Sequence, residues 1–284
     1  SCSLGNTTTG SQNTASGYAA LWKNTTGNAN TASGIYALMN NTTGDENTAV
    51  GQRALLYNST GYNNVAVGSS SLRVNTTGFV NVALGMEALK GNTTAAYNTA
   101  TGYAALCANT TGQANTASGY QSLGDTTTGS FNVSVGSNAL RSNTTACNNT
   151  AIGYDAMRCN TTGCENVAVG IAALRDGTAT IRNIAIGRSA LCATTGSYNT
   201  VVGYIGLSSN TCGQSHAGLG YAVLYSNTTG CHSSALGNAA LAKNTTGNQN
   251  TAVGYLALCS NTTAGNNVAV GGDSLKSTTT GSNN

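Results

Sequence analysis

The sequence predicts an all-β repeat fold, a β-solenoid or β-roll of about sixteen 17-residue coils, and three periodic observations predict it. Glycine recurs at 17, 34, 51, 68, 85, 102, 119, 136, 153, 170, 187, 203, 220, 237, 254 and 271, always 17 apart except for one interval of 16. Four residues after each glycine stands a leucine, from Leu21 to Leu275, with Met157 the one departure. Asparagine recurs in two further columns. One runs Asn13, Asn30, Asn47 and onward, broken only by His216 and Ser233, and the other begins Asn24, Asn41, Asn58.

Each part of the repeat N-[TV]-A-[VS]-G-x-x-A-L-x-x-N-T-T-G-x-x implies a local structure. The small and β-branched residues before the framework glycine suit a strand of about five residues. Residues such as Val50, Val67 and Ile152 point to one face of that strand, and the alanine between them points to the other. One interior cannot take both faces. The expectation is that the β-branched side is inside and that a second chain covers the alanine side. The Tyr-x-Ala-Leu segment reads as a turn or as a single helical turn. The glycine ending Asn-Thr-Thr-Gly (Gly27, Gly44, Gly61) reads as a positive-φ turn residue. In Leu191-Cys192-Ala193-Thr194-Thr195-Gly196 the asparagine of that turn is read as deleted. Like side chains stacked 17 apart would form ladders about 4.8 Å per step, the asparagines by amide hydrogen bonds, giving a shaft roughly 75 Å long. A 17-residue unit cannot bury its own apolar face, so coils must stack.

Composition agrees. There are 37 glycines, no proline, and 7% charged residues. A net charge of +3 does not suggest nucleic acid, and no apolar run is long enough for a spanning helix. Nine cysteines in so polar a chain suit an oxidising compartment. Residues 1–284 are read as a single repeat array that starts and ends in mid-repeat, a window of a longer or processed protein.

The run Asn-[Thr/Val]-Ala-Val-Gly, followed by Ala-Leu and Asn-Thr-Thr-Gly, resembles 17-residue "NTALGYNALYSNTTG" arrays of phage and bacterial tail-fibre-like proteins. In pattern it is also similar to the head repeats of trimeric autotransporter adhesins, whose unit is three residues shorter. The resemblance covers the whole chain. It implies a structural fibre or shaft outside the cell or on a cell or virion surface, self-associating as a homo-oligomer with a trimer favoured. An adhesin that grips polysaccharide or a host surface is the alternative. An ice-binding solenoid is disfavoured, because the Thr-Thr pairs sit in a turn and alternate sides.

Few side chains point to chemistry. The eight acidic residues lie off the framework columns and form no recurring pair, so the chain is not read as an enzyme and no cofactor is assigned. Cys212, His216, Cys231 and His232 are a weak metal candidate, set against a Cys212–Cys231 bridge with two surface histidines. Cys147 and Cys164 share a column one coil apart, which suits a disulfide. Arg141, Arg158 and Arg175 would stack as a lateral binding stripe or a solvated edge. Tyr103 with Tyr120, and Tyr204 with Tyr221, would stack as packing or as sugar platforms. The sequon asparagines Asn24, Asn41, Asn58, Asn75, Asn92, Asn109, Asn143, Asn160, Asn227, Asn244 and Asn261 are N-glycosylation candidates.

Overall fold

A computed structural model describes residues 3–284 of the chain, as two compact units, one ending at Ala146 and the other running Cys147–Asn284. Both are parallel β-solenoids, and no helix occurs among the described residues. The first unit carries β1 (Thr14–Ser16), β2 (Thr31–Ser33), β3 (Thr48–Val50), β4 (Val65–Val67), β5 (Val82–Leu84), β6 (Thr99–Thr101), β7 (Thr116–Ser118) and β8 (Val133–Val135). The second carries β9 (Thr150–Ile152), β10 (Val167–Val169), β11 (Ile184–Ile186), β12 (Thr200–Val202), β13 (Ala217–Leu219), β14 (Ser234–Leu236), β15 (Thr251–Val253) and β16 (Val268–Val270). Within each unit neighbouring strands pair in parallel with the repeat in register, as in Thr31↔Thr48, and one step of 16 residues, Ile184↔Thr200, absorbs the short interval.

The strands are three residues long rather than five, because the framework glycine ends each one. Gly34, for example, has φ +140°, a backbone state open to glycine. Positive φ then recurs at alternate residues, at Tyr36 (61°) and Leu38 (52°). The framework leucines and Met157, from Leu21 to Leu275, all have φ between 48° and 53°. This left-handed conformation costs an L-residue roughly 1–2 kcal/mol, and here it is repaid by turning every one of those long side chains inward. Leu21 to Leu258, with Met157, are wholly buried. The segment is therefore a chain of tight turns and not the single helical turn considered above. Rung-to-rung hydrogen bonds run both ways from it, Tyr36 N–H to Tyr18 O at 2.9 Å and Leu38 N–H to Ala54 O at 3.0 Å.

The strand faces are reversed from the expectation. The central alanines (Ala49, Ala66, Ala83, Ala151, Ala168) are buried, while Val50, Val67, Leu84 and Ile152 are exposed. The reason is volume. Each coil is flattened on its leucine, and the strand opposite has room for only a methyl group. The chain shows the limit itself: Val201 occupies the alanine position only where Gly206 and Gly218 give up their own methyls. A Cβ at Gly206 would lie 2.6 Å from Val201 Cγ1 and 3.1 Å from Val223 Cγ2.

The two asparagine columns are buried amide ladders. Asn41 Nδ2 donates to Asn24 Oδ1 in the preceding coil at 2.8 Å and to Gly44 O at 2.9 Å. In the other column Asn47 offers both its backbone N–H (3.0 Å) and its Nδ2 (3.1 Å) to Asn30 Oδ1. Asn30 Nδ2 in turn reaches the same Gly44 carbonyl at 2.8 Å. Each Asn-Thr-Thr-Gly carbonyl thus ties the two ladders together. The glycine bearing it has no positive φ, contrary to the turn reading, and the chain places Ala95, Ala146, Thr180 and Ala264 there instead. At the short interval the asparagine column is kept in use by Thr194. Its Oγ1 accepts from Asn210 Nδ2 at 2.9 Å and from Gly196 N–H at 3.0 Å. What is missing from that turn is a threonine, not the asparagine position.

Candidate functional surface

The most site-like feature is the outward face of the strands. Every strand presents its first and third residues to solvent, and none of the 32 is charged. In the first unit seven of the 16 are apolar: Val50, Val65, Val67, Val82, Leu84, Val133 and Val135. In the second, 12 of 16 are apolar, and only Thr150, Thr200, Ser234 and Thr251 are not. A shallow depression of about 430 Å³ interrupts the second face above Ala217 and Gly218, bordered by Val202, Leu219, Leu236 and Val253. The Thr-x-Thr pattern of an ice-binding rank appears on one strand, Thr99–Thr101.

Along one edge of this face runs the column that follows the framework glycine. Tyr103 and Tyr120 stack there at 5.4 Å, and Tyr204 and Tyr221 at 5.6 Å, their planes within 13° and 5° of parallel. Stacked this way, each ring covers one face of its partner. Arg188 lies over Tyr204 at 5.9 Å. The arginine column is less bare than its sequence suggests. Arg175 holds Asp176 through two 2.9 Å contacts, and Arg158 lies 3.6 Å from Asp155. The Arg175 pair holds the Asp176 carboxyl below its ordinary range, through its hydrogen bond first. Arg141 belongs to the first unit, where it borders a small cleft with Glu87, Tyr103, Cys107, Gln121 and Asp125.

The metal quartet is not assembled. His216 is 2% exposed and stands in the asparagine column, while Cys212 and His232 are exposed on the outside. The imidazole replaces an amide atom for atom. Nε2 meets Gly230 O at 2.6 Å, where an asparagine Nδ2 would donate, and Nδ1 accepts from Ser233 N–H at 3.3 Å, where Oδ1 would accept. Both ring nitrogens are spent on the coil, and among the described residues no three ligating side chains converge. Cys231 Sγ instead accepts from Gln214 N–H at 3.4 Å, two residues along the coil from the level of Cys212. Cys147 and Cys164 do stand one above the other, with Cys147 N–H donating to Cys164 Sγ at 3.1 Å.

The Nδ1 contact with the Ser233 N–H makes His216 acid-sensitive. Burial pushes its pKa below the usual histidine value, and protonation would aim an Nδ1–H at the Ser233 N–H. A depressed histidine pKa leaves stability intact above the unfolded value near 6.5, and stability falls as pH drops from there towards the folded value. H216N restores the ladder amide. The melting-temperature gap between H216N and wild type should therefore widen from pH 8 to pH 5; a constant gap would refute the assignment.

The glycosylation candidates are the asparagines of the second ladder. Asn24, Asn41, Asn58, Asn75, Asn92, Asn109, Asn143, Asn160, Asn227, Asn244 and Asn261 are all 0% exposed. Their Nδ2 atoms are hydrogen-bond donors inside the coil, as at Asn58 and Asn244. A glycan on that nitrogen would have no path out of the folded stack, so the folded coil corrects that reading. Sequence periodicity places an asparagine in a turn but does not say whether it points in or out.

The chain matches no protein-family model, no curated protein and no solved structure.

Proposed function

We propose that the protein is a structural, fibre-type repeat protein without catalytic activity, working outside the cell or at a cell or virion surface, and that its outward strand face packs against another copy of the chain. The observation that carries this reading is the uncharged outward face, most apolar from Ile152 to Val270. A patch of that kind is far more continuous than solvated surfaces usually tolerate. Eight rungs at about 4.8 Å, across roughly 20 Å of strand and flanking turn, offer on the order of 800 Å² per copy, which is what a standard interface needs from each partner. The acidic residues support the non-catalytic part. Glu87, Asp155, Glu165, Asp176 and Asp273 each pair with a nearby lysine or arginine, so five of the eight are engaged locally along the coil edges.

Sedimentation velocity tests the reading. Wild type at tens of micromolar should sediment as an oligomer, and I152K/I186K, which alters only exposed side chains, should sediment as a monomer with unchanged circular dichroism. A monomeric wild type, or a double variant that still assembles, would overturn it.

A further inference from the structure

A second feature, independent of self-association, lies at the start of the first unit. Tyr18 and Trp22 belong to one coil and bracket Ala19, whose methyl leaves a gap between them. In the next coil Tyr36 occupies the column of Ala19, and Met39 that of Trp22. Together with Lys23 these six residues line an open concavity of about 420 Å³. Tyr18 and Tyr36 meet edge to face, with centroids 5.5 Å apart and planes at 80°. That geometry differs from the parallel tyrosine pairs elsewhere: two perpendicular rings form the two walls of a corner, where two parallel rings form a single flat stack. Trp22 is the only tryptophan of the chain.

The polar atoms at the rim are unspent. Among the described residues no hydrogen bond engages the hydroxyls of Tyr18 and Tyr36 or the indole N–H of Trp22, and no acidic group pairs with Lys23. Among the described residues no acidic side chain lines the concavity either. An apolar recess with aromatic walls, a few outward donors and one uncompensated cation selects a ligand that is apolar on its ring faces, hydroxylated at its edge and anionic.

We propose that the Tyr18–Trp22–Tyr36 concavity binds a pyranose carrying a carboxylate, a hexuronate unit of an acidic polysaccharide. The sugar's C–H face lies on the aromatic walls and its carboxylate reaches Lys23. This assigns the chain a carbohydrate site distinct from the Tyr103–Tyr120 and Tyr204–Tyr221 columns and from the arginine column.

The lone tryptophan makes the test local. Titration with an oligogalacturonate trimer should change Trp22 emission saturably, and the methyl ester of the same trimer, which keeps the rings and removes the charge, should bind roughly three- to fivefold more weakly, the yield of one exposed ion pair. K23Q should bind acid and ester alike at the weaker level. Y36A should abolish the signal for both while leaving the melting temperature in place, since the same column already carries alanine at Ala19, Ala104 and Ala172. Absence of a saturable change in wild type, equal affinity for acid and ester in wild type, or a Y36A variant that binds normally would each overturn the proposal. None of these results depends on whether copies of the chain assemble.

Discussion

Replacing one framework glycine, Gly85→Ala, is expected to remove at least about 3 kcal/mol from the first unit and to lower its melting temperature by roughly 10 °C. Two independent terms act together. The glycine sits at φ +136°, where an L side chain is strained before it touches anything. The added Cβ would also lie 2.5 Å from Gly102 O and 2.7 Å from Gly102 C in the next coil, backbone atoms that cannot swing aside. The same column brings each framework glycine against the following one, which explains why the position never varies along the array. Gly124→Ala is the internal control. Its φ is ordinary, the neighbouring coils already carry side chains in that column at Cys107 and Arg141, and an added Cβ would meet nothing closer than Gln121 O at 3.1 Å. It should lose about 1 kcal/mol or less. Thermal melts of the two variants beside wild type decide the matter. If G85A melts with wild type, the close-packed glycine column is not what sets the coil spacing.

The period, the register and the leucine and asparagine columns were legible because each depends on repetition, and repetition survives without knowing which way a side chain points. Direction is what the residue types could not supply. Hydrophobicity alone would place Val50, Val67 and Ile152 inside and alanine outside, yet the interior is too narrow for that. The limiting quantity is volume per rung, visible only once Leu55 or Leu72 is seen to fill the space facing the strand. The compensated set Val201, Val223, Gly206 and Gly218 is the sequence trace of that limit, since two alanines become valine where two others become glycine. His216 carried a similar clue: a histidine in an otherwise amide column is better read as an amide substitute than as a ligand. The aromatic concavity was harder to find, because Tyr18, Trp22 and Tyr36 belong to three different columns and no periodic pattern joins them.

The ladders yield the other large effect. Asn58 donates from Nδ2 to Asn41 Oδ1 at 2.8 Å and to Gly61 O at 2.9 Å, and its Oδ1 accepts from Asn75 Nδ2 at 2.8 Å. Asn58→Asp keeps the shape and exchanges the donor for an acceptor. Two carbonyl oxygens would then face a carboxylate inside a 0%-exposed site, with no cation to pair with it. The expected loss at pH 7 is about 3–5 kcal/mol, more than the roughly 2–3 kcal/mol of Asn58→Ala, which only leaves partners unmet. Acidity separates the two causes. A buried carboxyl has its pKa raised, so the penalty is present above the unfolded value near 3.9 and shrinks as pH falls through the raised folded value. Once protonated, its O–H can again donate to Asn41 Oδ1 or Gly61 O. N58D should therefore regain stability relative to wild type between pH 7 and pH 4, whereas N58A should not. The converse change tests the ladder from its broken end. Asn109 Oδ1 faces Thr126 in the next coil and has no donor, so Thr126→Asn should add about 1 kcal/mol by supplying one. Denaturant melts of N58D, N58A and T126N measure all three shifts. An N58D variant as stable as wild type at pH 7, or a T126N variant that loses stability, would mean that the amide columns merely fill space and do not hold the coils together.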